Sequence, residues 1–452
     1  MNHWSYDAVF YHIYPLGLTG APPRNDFASP SQPRLAALHG WLDHLQGLGV
    51  NALYLGPLFE SSTHGYDSAD YFHVDRRLGS DDTLRNLVND CHARGMRVIL
   101  DGVFNHTGRD FWAFRDVLHN RENSPYRDWF AGLRFNGNNP YGDGLRYDDW
   151  QGHASLVKLN LTNPRVVDHL LQAVESWIEQ FDIDGLRLDA ADCVDLGFQR
   201  ALRAFTSQRR PDFWLMGEVV HGDYTRWANP QTLHAVTNYE CYKGLYSSLN
   251  DQNYFEIAWS LNRQFGEQGL YGGLPLYNFV DNHDVNRAAS VLKNPAHLYP
   301  LYLLLFTMPG VPSIYYGSEW GLSGEKTPSS DAALRPALPA PGEAAPPHPH
   351  LAKAISRLAS LRHSSPALRR GDYQQLVVRH EQFAFLRSSP EESLVVALNA
   401  AQTPAEIEIN LPAQPNGSLI DLLNPGERFP LRGGRAQMPL PAAWGRVLRV
   451  ES

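Results

Sequence analysis

The sequence predicts an α/β protein: a (β/α)8 TIM barrel with an excursion domain after its third strand and an antiparallel β-sandwich at the C-terminus. Three observations predict it. The chain has 452 residues, about three times the length of a typical domain. Over its first ~370 residues, short β-rich apolar runs alternate with longer amphipathic stretches, the pattern of parallel strands joined by crossover helices. After Arg370-Gly371 the helical period gives way to short alternating runs such as 375–379, 383–386, 393–398 and 406–411, which read as antiparallel strands.

The eight candidate barrel strands are 8–16, 52–56, 97–103, 185–189, 213–218, 234–239, 274–281 and 312–317. Between them, 33–48, 81–94, 164–181 and 194–208 are helical in period, and Asn163-Pro164 reads as an N-cap followed by proline in the first turn. Segment 107–160, rich in Asn, Gly, Asp and aromatics, is too long for a βα loop and is expected to form a domain over the barrel mouth. Its Trp112, Tyr126, Trp129, Tyr141, Tyr147 and Trp150 either wall the cleft or form that domain's own core. A Pro- and Ala-dense segment, 321–350, follows the eighth strand and is expected to be ordered only where it meets the active site. The division expected is a barrel of 1–106 and 161–370, an excursion of 107–160 and a sandwich of 371–452.

Hydrophobic residues at 43% against 19% charged suit a chain with a real core and exclude an extended disordered one. Net charge is −9 with no long basic run, so neither nucleic acid nor an anionic membrane is an expected partner. The most apolar segment, 298–316, is broken by Pro300, Pro309 and Pro312, and reads as a helix followed by a buried strand. No secretory signal opens the sequence, and Cys91, Cys193 and Cys241 match no zinc or redox spacing, which together imply a cytoplasmic protein.

Barrel enzymes carry their chemistry at the C-terminal ends of the strands. Here the third strand ends in Asp101-Gly-Val-Phe-Asn105-His106, and the fourth is Gly185-Leu-Arg187-Leu-Asp189. The fifth ends in Gly217-Glu218, the seventh in Asp281-Asn282-His283-Asp284. Singly, each acid is an ordinary cap or turn residue; jointly they converge on one mouth. Arg187 and Asp189, two apart on a strand, share a face, where the guanidinium is expected to keep the carboxylate ionised as a nucleophile. Glu218, at the edge of an apolar layer and near another carboxylate, is expected to retain a proton and serve as the acid. That division of labour is the one retaining glycosidases use, and Asp284 beside His283 is placed to stabilise the sugar.

These four stretches resemble the signature regions of the α-amylase family, glycoside hydrolase family 13, in order and spacing. His64-Gly-Tyr66-Asp67 and Gly310-x-Pro312-x-Ile314-Tyr-Tyr-Gly317-x-Glu319 support the resemblance. It implies a retaining α-glucan-active enzyme with Asp189 as nucleophile, Glu218 as general acid/base and Asp284 as transition-state stabiliser. It further implies sugar contacts for Tyr66, Asp101, His106, Arg187, His283 and Arg287, with Tyr66 stacking on the ring. The counterpart of Asn105 binds Ca²⁺ in many secreted amylases; no metal or other cofactor is predicted.

Leu156-Val-Lys158-Leu-Asn160, Glu218-Val-Val-His221 and His283-Asp284-Val-Asn-Arg287 are similar to the neopullulanase, cyclomaltodextrinase and maltogenic amylase group. That group usually carries an N-terminal β-domain, whereas this sequence opens at its first barrel strand, so the oligomeric state stays open. The expected activity is hydrolysis of α-1,4 bonds in maltooligosaccharides or cyclodextrins, with α-1,6 bonds as a further target. A 4-α-glucanotransferase would share the covalent intermediate, and a non-catalytic glucan-binding scaffold would have lost the acids that are present here.

Overall fold

The computed structural model describes residues 3–451. Three strands come first: β1 (Phe10–Ile13), β2 (Ala52–Leu55) and β3 (Arg97–Gly102). Segment 107–160 then contributes to a small antiparallel sheet of β4 (His106–Gly108), β5 (Asp149–Trp150) and β6 (His153–Lys158), with β6 in the middle. Five more parallel strands follow: β7 (Gly185–Leu188), β8 (Trp214–Gly217), β9 (Ala235–Val236), β10 (Tyr277–Phe279) and β11 (Val311–Tyr315). The sheet order is β10-β11-β1-β2-β3-β7-β8-β9. A parallel bridge between Thr237 and Tyr277 and the Asn238 N–H donating to Tyr277 O at 2.9 Å close the ring. All eight strands sit in their expected runs, trimmed at the ends, with β11 starting one residue early.

Alternation along each strand sorts the side chains. Phe10, Tyr54, Ile99, Trp214, Met216, Tyr277 and Phe279 fill the barrel interior, with Phe10 stacked on Trp214 at 5.1 Å. Leu53, Leu55, Val98, Leu100, Leu186, Leu188 and Leu215 point outward into the layer shared with the helices.

Helix ends obey local chemistry. Asn163 accepts from the Arg165 N–H at 3.0 Å and Pro164 opens the helix Pro164–Phe181, as its sequence predicts. Ser80 and Thr83 form a reciprocal capping box at the start of helix Asp81–Ala93. Segment 33–48 differs from expectation: it is a 3₁₀ helix over Arg34–Trp41 that turns into an α-helix over Leu42–Leu48. The reason is spacing, because Leu35, Leu38 and Trp41 recur every third residue and face one side only at three residues per turn.

The C-terminal strands are β12 (Asp372–Val378), β13 (Gln382–Ser388), β14 (Ser393–Asn399), β15 (Ala405–Asn410), β16 (Asn416–Asp421), β17 (Arg428–Arg432), β18 (Arg435–Leu440) and β19 (Trp444–Glu451). The two expected layers are halves of one continuous antiparallel sheet, ordered β12-β13-β14-β19-β16-β17-β18-β15. Val395 and Ala397 face its own core, while Leu394, Val396 and Leu398 face the barrel. At that junction, Arg387 donates to Thr307 O at 2.6 Å and Gly371 O at 2.9 Å; within the barrel, Arg362 donates to Gly310 O at 2.7 Å. Both guanidiniums are fully buried among carbonyls, and burial pushes each down to about 9.

Beneath the barrel, His234 accepts the Leu215 N–H at 3.0 Å through Nδ1 and is held neutral, burial pushing it down to about 2 with Arg203 and His3 adding to the effect. An unfolded histidine titrates near ~6.5. The folded state therefore refuses a proton that the unfolded chain accepts. This stability is whole above pH ~6.5 and drains away as pH falls toward the folded value, at about 1.4 kcal/mol per pH unit. His234→Asn, which keeps an acceptor for Leu215, is expected to flatten the pH dependence of urea unfolding between about pH 6 and 4 by one proton. An unchanged slope would show that the ring is not held neutral.

Candidate active site

Strand register brings the polar residues together before any loop contributes. Asp101 on β3 lies level with Arg187 on β7, and Leu188 on β7 lies level with Gly217 on β8. Because Leu100, Leu186 and Leu188 point outward, Asp101 and Arg187 point inward, above the aromatic layer. Asp189 and Glu218 follow at the ends of neighbouring strands. Gly217 is required there, since a Cβ would stand 2.4 Å from Leu233 Cδ1 and 2.7 Å from Ala191 Cβ.

Arg187, only 3% exposed, ties three carboxylates together. Its Nη1 donates to Asp101 at 2.8 and 3.0 Å and to Asp189 Oδ1 at 3.0 Å, and its Nη2 meets Glu218 Oε2 at 2.8 Å. Asp101 also accepts from Tyr54 at 2.9 Å and from Tyr66 at 3.1 Å. After Asp189, the chain turns through Ala190 with φ of +43°, a costly conformation for a residue with a side chain. The turn aims the Ala190 N–H at Glu218 Oε2, 3.2 Å away. On the other side the Tyr239 hydroxyl approaches Glu218 Oε1 at 3.5 Å and is itself held by Asn282 Nδ2 at 3.1 Å.

One expectation is corrected here. Arg187 does contact Asp189, yet burial pushes the Asp189 carboxyl well above the usual range; Arg187 opposes this, while Glu218, Asp101 and Asp284 reinforce it. A single guanidinium shared by three carboxylates leaves the cluster short of positive charge, so Asp189 is not held ionised by that contact alone.

Asp284 is the depressed carboxyl. Burial alone would push it up, but the His283 ring and the guanidiniums of Arg335 and Arg187 overcome that and hold it far below the usual range. His283 Nε2 lies 3.0 Å from Asp284 Oδ2 and also meets the Tyr66 hydroxyl. Arg335 reaches in from segment 321–350, donating to Asp284 Oδ1 and to His283 O, each at 3.0 Å. His106 places Nε2 3.9 Å from Asp189 Oδ2 without another partner, and burial with the neighbouring His64 pushes it down to about 3.

These groups line one cleft of about 620 Å³. Tyr66, His106, Asp189, Glu218 and Asp284 reach its surface, whereas Asp101, Arg187 and His283 are buried immediately behind it. Arg287 is the second correction. Fully buried, its guanidinium donates to Tyr316 O at 2.5 Å, Leu334 O at 2.8 Å and Ser318 Oγ at 3.1 Å, so it holds backbone together away from the cleft. Asp281 is also turned away, accepting from Ser318 Oγ and the Ala288 N–H.

The aromatics of segment 107–160 divide. Trp112, Tyr126 and Trp129 pack edge to face, Tyr147 packs on Phe114, and Tyr141 lies under Arg109, whereas Trp150 lines the cleft beside His153. Sequence reasoning missed Arg335 and Asp331, which face the cleft from an irregular segment with no periodic signal, and Tyr239, which follows the short β9. Asp331 and Arg335 carried one usable clue, their i,i+4 spacing, realised as a 2.6 Å ion pair. Among the described residues no group of three or more His, Cys, Asp or Glu side chains is gathered to hold a metal, and no helix is long and apolar enough to cross a membrane.

Comparison with known proteins matches this geometry. The family model for the α-amylase catalytic domain matches residues 34–345. A cyclomaltodextrinase from Geobacillus thermopakistaniensis is 32% identical over 470 aligned positions, covering 99% of this chain and 78% of that protein. Neopullulanase 2 from Thermoactinomyces vulgaris is 31% identical, covering 98% and 78%. The ligand-free structure of a cyclic α-maltosyl-(1→6)-maltose hydrolase from Arthrobacter globiformis superposes with a TM-score of 0.83 at 28% identity, covering 99% of this chain and all of that one. With the barrel closed, its carboxylates gathered on one arginine and most of the chain matched, the protein belongs to the α-amylase family of glycoside hydrolases, in the group of cyclomaltodextrinase- and neopullulanase-like enzymes.

Proposed function

We propose that this hydrolase cleaves α-1,4-glucosidic bonds of short maltooligosaccharides and cyclodextrins, and α-1,6 bonds between such units, by two displacements at the anomeric carbon. The observation that carries the reading is the bridging of Asp189 and Glu218 by one Arg187 guanidinium at the wall of a bounded cleft. Arg187 holds the two carboxyls beside each other, and in the free enzyme burial pushes the Asp189 carboxyl up. With a glycosidic oxygen beside Glu218, Glu218 serves as the proton donor and Asp189 as the attacking carboxylate.

In the first step the Asp189 oxygen bonds to the anomeric carbon, the glycosidic C–O bond breaks, and the Glu218 proton goes to the leaving oxygen. In the second, the Glu218 carboxylate takes a proton from water, the water oxygen bonds to the anomeric carbon, and Asp189 departs. Asp284, held ionised by His283 and Arg335, offsets the positive charge that develops on the ring in the transition state of each step. The α configuration is restored by the double inversion.

Support for short substrates comes from the walls. Trp150 and His153 line the cleft from the 107–160 excursion and Asp331 and Arg335 line it from the 321–350 segment, around a volume in the range of sites that enclose a small ligand. The cyclomaltodextrinase and the cyclic maltosyl-maltose hydrolase to which the chain is similar are named for such sugars. Three unpaired cysteines suit action in the cytoplasm.

Asp189→Asn is expected to lower kcat by about 10⁴-fold or more with the fold retained, because only the attacking charge is lost; activity within about tenfold of wild type would remove Asp189 from its role. Glu218→Gln is expected to keep far more activity on an α-glucosyl fluoride than on maltotriose, since fluoride leaves without a proton. Equal losses on both substrates would place the acid elsewhere. Proton NMR before mutarotation is expected to show α-anomeric product, and chromatography is expected to show maltotriose and β-cyclodextrin cut to glucose and maltose faster, per bond, than starch. A β-anomer would contradict the two-step mechanism, and products longer than the substrate would make the enzyme a glucanotransferase.

A further inference from the structure

Tyr14 lies between β1 and the short helix Pro15–Leu18, only 4% exposed, and touches no reacting carboxylate. Its surroundings nevertheless converge on Asp284. The Tyr14 hydroxyl donates to His64 O at 2.6 Å, holding the loop that delivers Tyr66. Its ring lies parallel to His283, with centroids 6.0 Å apart and planes 9° apart, and Tyr66 lies parallel to the same imidazole at 5.4 Å and 10°. The Arg335 guanidinium sits 4.7 Å from the Tyr14 ring centroid while reaching His283 O and Asp284 Oδ1. An aromatic face beneath a desolvated guanidinium fixes where that cation rests.

The backbone of Arg335 is pressed into this seat from both sides. Leu334 O accepts from Arg287 at 2.8 Å and from Tyr315 at 3.0 Å on one side. On the other, Gly17 lets the chain approach so closely that a Cβ there would stand 2.3 Å from Arg335 O.

We propose that Tyr14 is a positioning residue for the hydrolysis, acting through Arg335 to aim and charge-match Asp284, with Gly17 as the gap that lets the Arg335 backbone reach it. The proposal rests on the hydrolase reading above. It also assigns the buried Arg287 a purpose, as the clamp that fixes the other side of the same backbone.

The test is a double-mutant cycle on kcat and KM for maltotriose, with Tyr14→Leu, Arg335→Ala and the pair, beside Tyr14→Phe and Gly17→Ala. Tyr14→Leu is expected to lower kcat/KM by about ten- to hundredfold in wild type and by less than about twofold in the Arg335→Ala background, because the seat has nothing left to hold. Tyr14→Phe keeps the ring and is expected to recover activity to within about threefold. Gly17→Ala is expected to match Tyr14→Leu and likewise to add little to Arg335→Ala, and this second cycle decides the matter if Tyr14→Leu fails to fold. Losses that multiply in both cycles, or a Phe variant no better than Leu, would overturn the seat. A wild type that cleaves neither maltotriose nor β-cyclodextrin would overturn the hydrolase reading and the seat with it; active wild type with multiplying losses overturns the seat alone.

Discussion

One buried guanidinium organises this protein. Arg187 is shared by carboxylates at the ends of three adjacent strands, Asp101 on β3, Asp189 after β7 and Glu218 after β8. Taking such a cluster out of water is costly, and removing any one partner leaves buried charge uncompensated. The barrel register must therefore hold to within one residue, since a slip in β7 would turn Arg187 into the outer apolar layer and bring Leu186 or Leu188 into the mouth. The site is thus a constraint on the fold as much as its product.

Everything above the strands adjusts the field that this cluster sets up. With three negative groups against one positive, Asp189 rises and keeps a proton in reach. Asp284 escapes that fate because a second cation, Arg335, and the His283 ring stand against it. The two carboxyls of opposite tendency lie in the same cleft, and the difference between them is made by which side chains each can touch. The strained Ala190 turn belongs to the same economy of position: its positive φ points an N–H at Glu218 that an unstrained turn would direct elsewhere.

Beneath and beside the site, packing does the supporting work. Phe10 and Trp214 stack across the barrel interior, so the floor under Arg187 is a packed aromatic layer. Arg387 joins the C-terminal sheet to the barrel through the Thr307 carbonyl, and Arg362 ties barrel carbonyls together beside that junction. The aromatics of segment 107–160 mostly pack on one another, which lets a short hairpin present Trp150 and His153 to the cleft on a firm base.

The eight strands, the capped helices and the acids at the strand ends were legible in the sequence because short apolar runs, proline after an N-cap and polar residues closing apolar runs are all local signals. So was the inward pairing of Arg187 with Asp189, which needs only the strand repeat. Only the tertiary structure decided three other things. It put a proton-holding bias on Asp189, since that depends on how many carboxylates share Arg187 across β3, β7 and β8. It withdrew Arg287 into the interior despite its place in a polar motif, because the carbonyls of Tyr316 and Leu334, from later parts of the chain, claim its donors. It brought Arg335 to Asp284 from a proline-rich segment without periodicity, where Tyr14 and Gly17 shape the place it occupies. Each of these rests on distances between groups far apart in sequence, and electrostatic and steric terms at such distances leave no trace in the local pattern of residues.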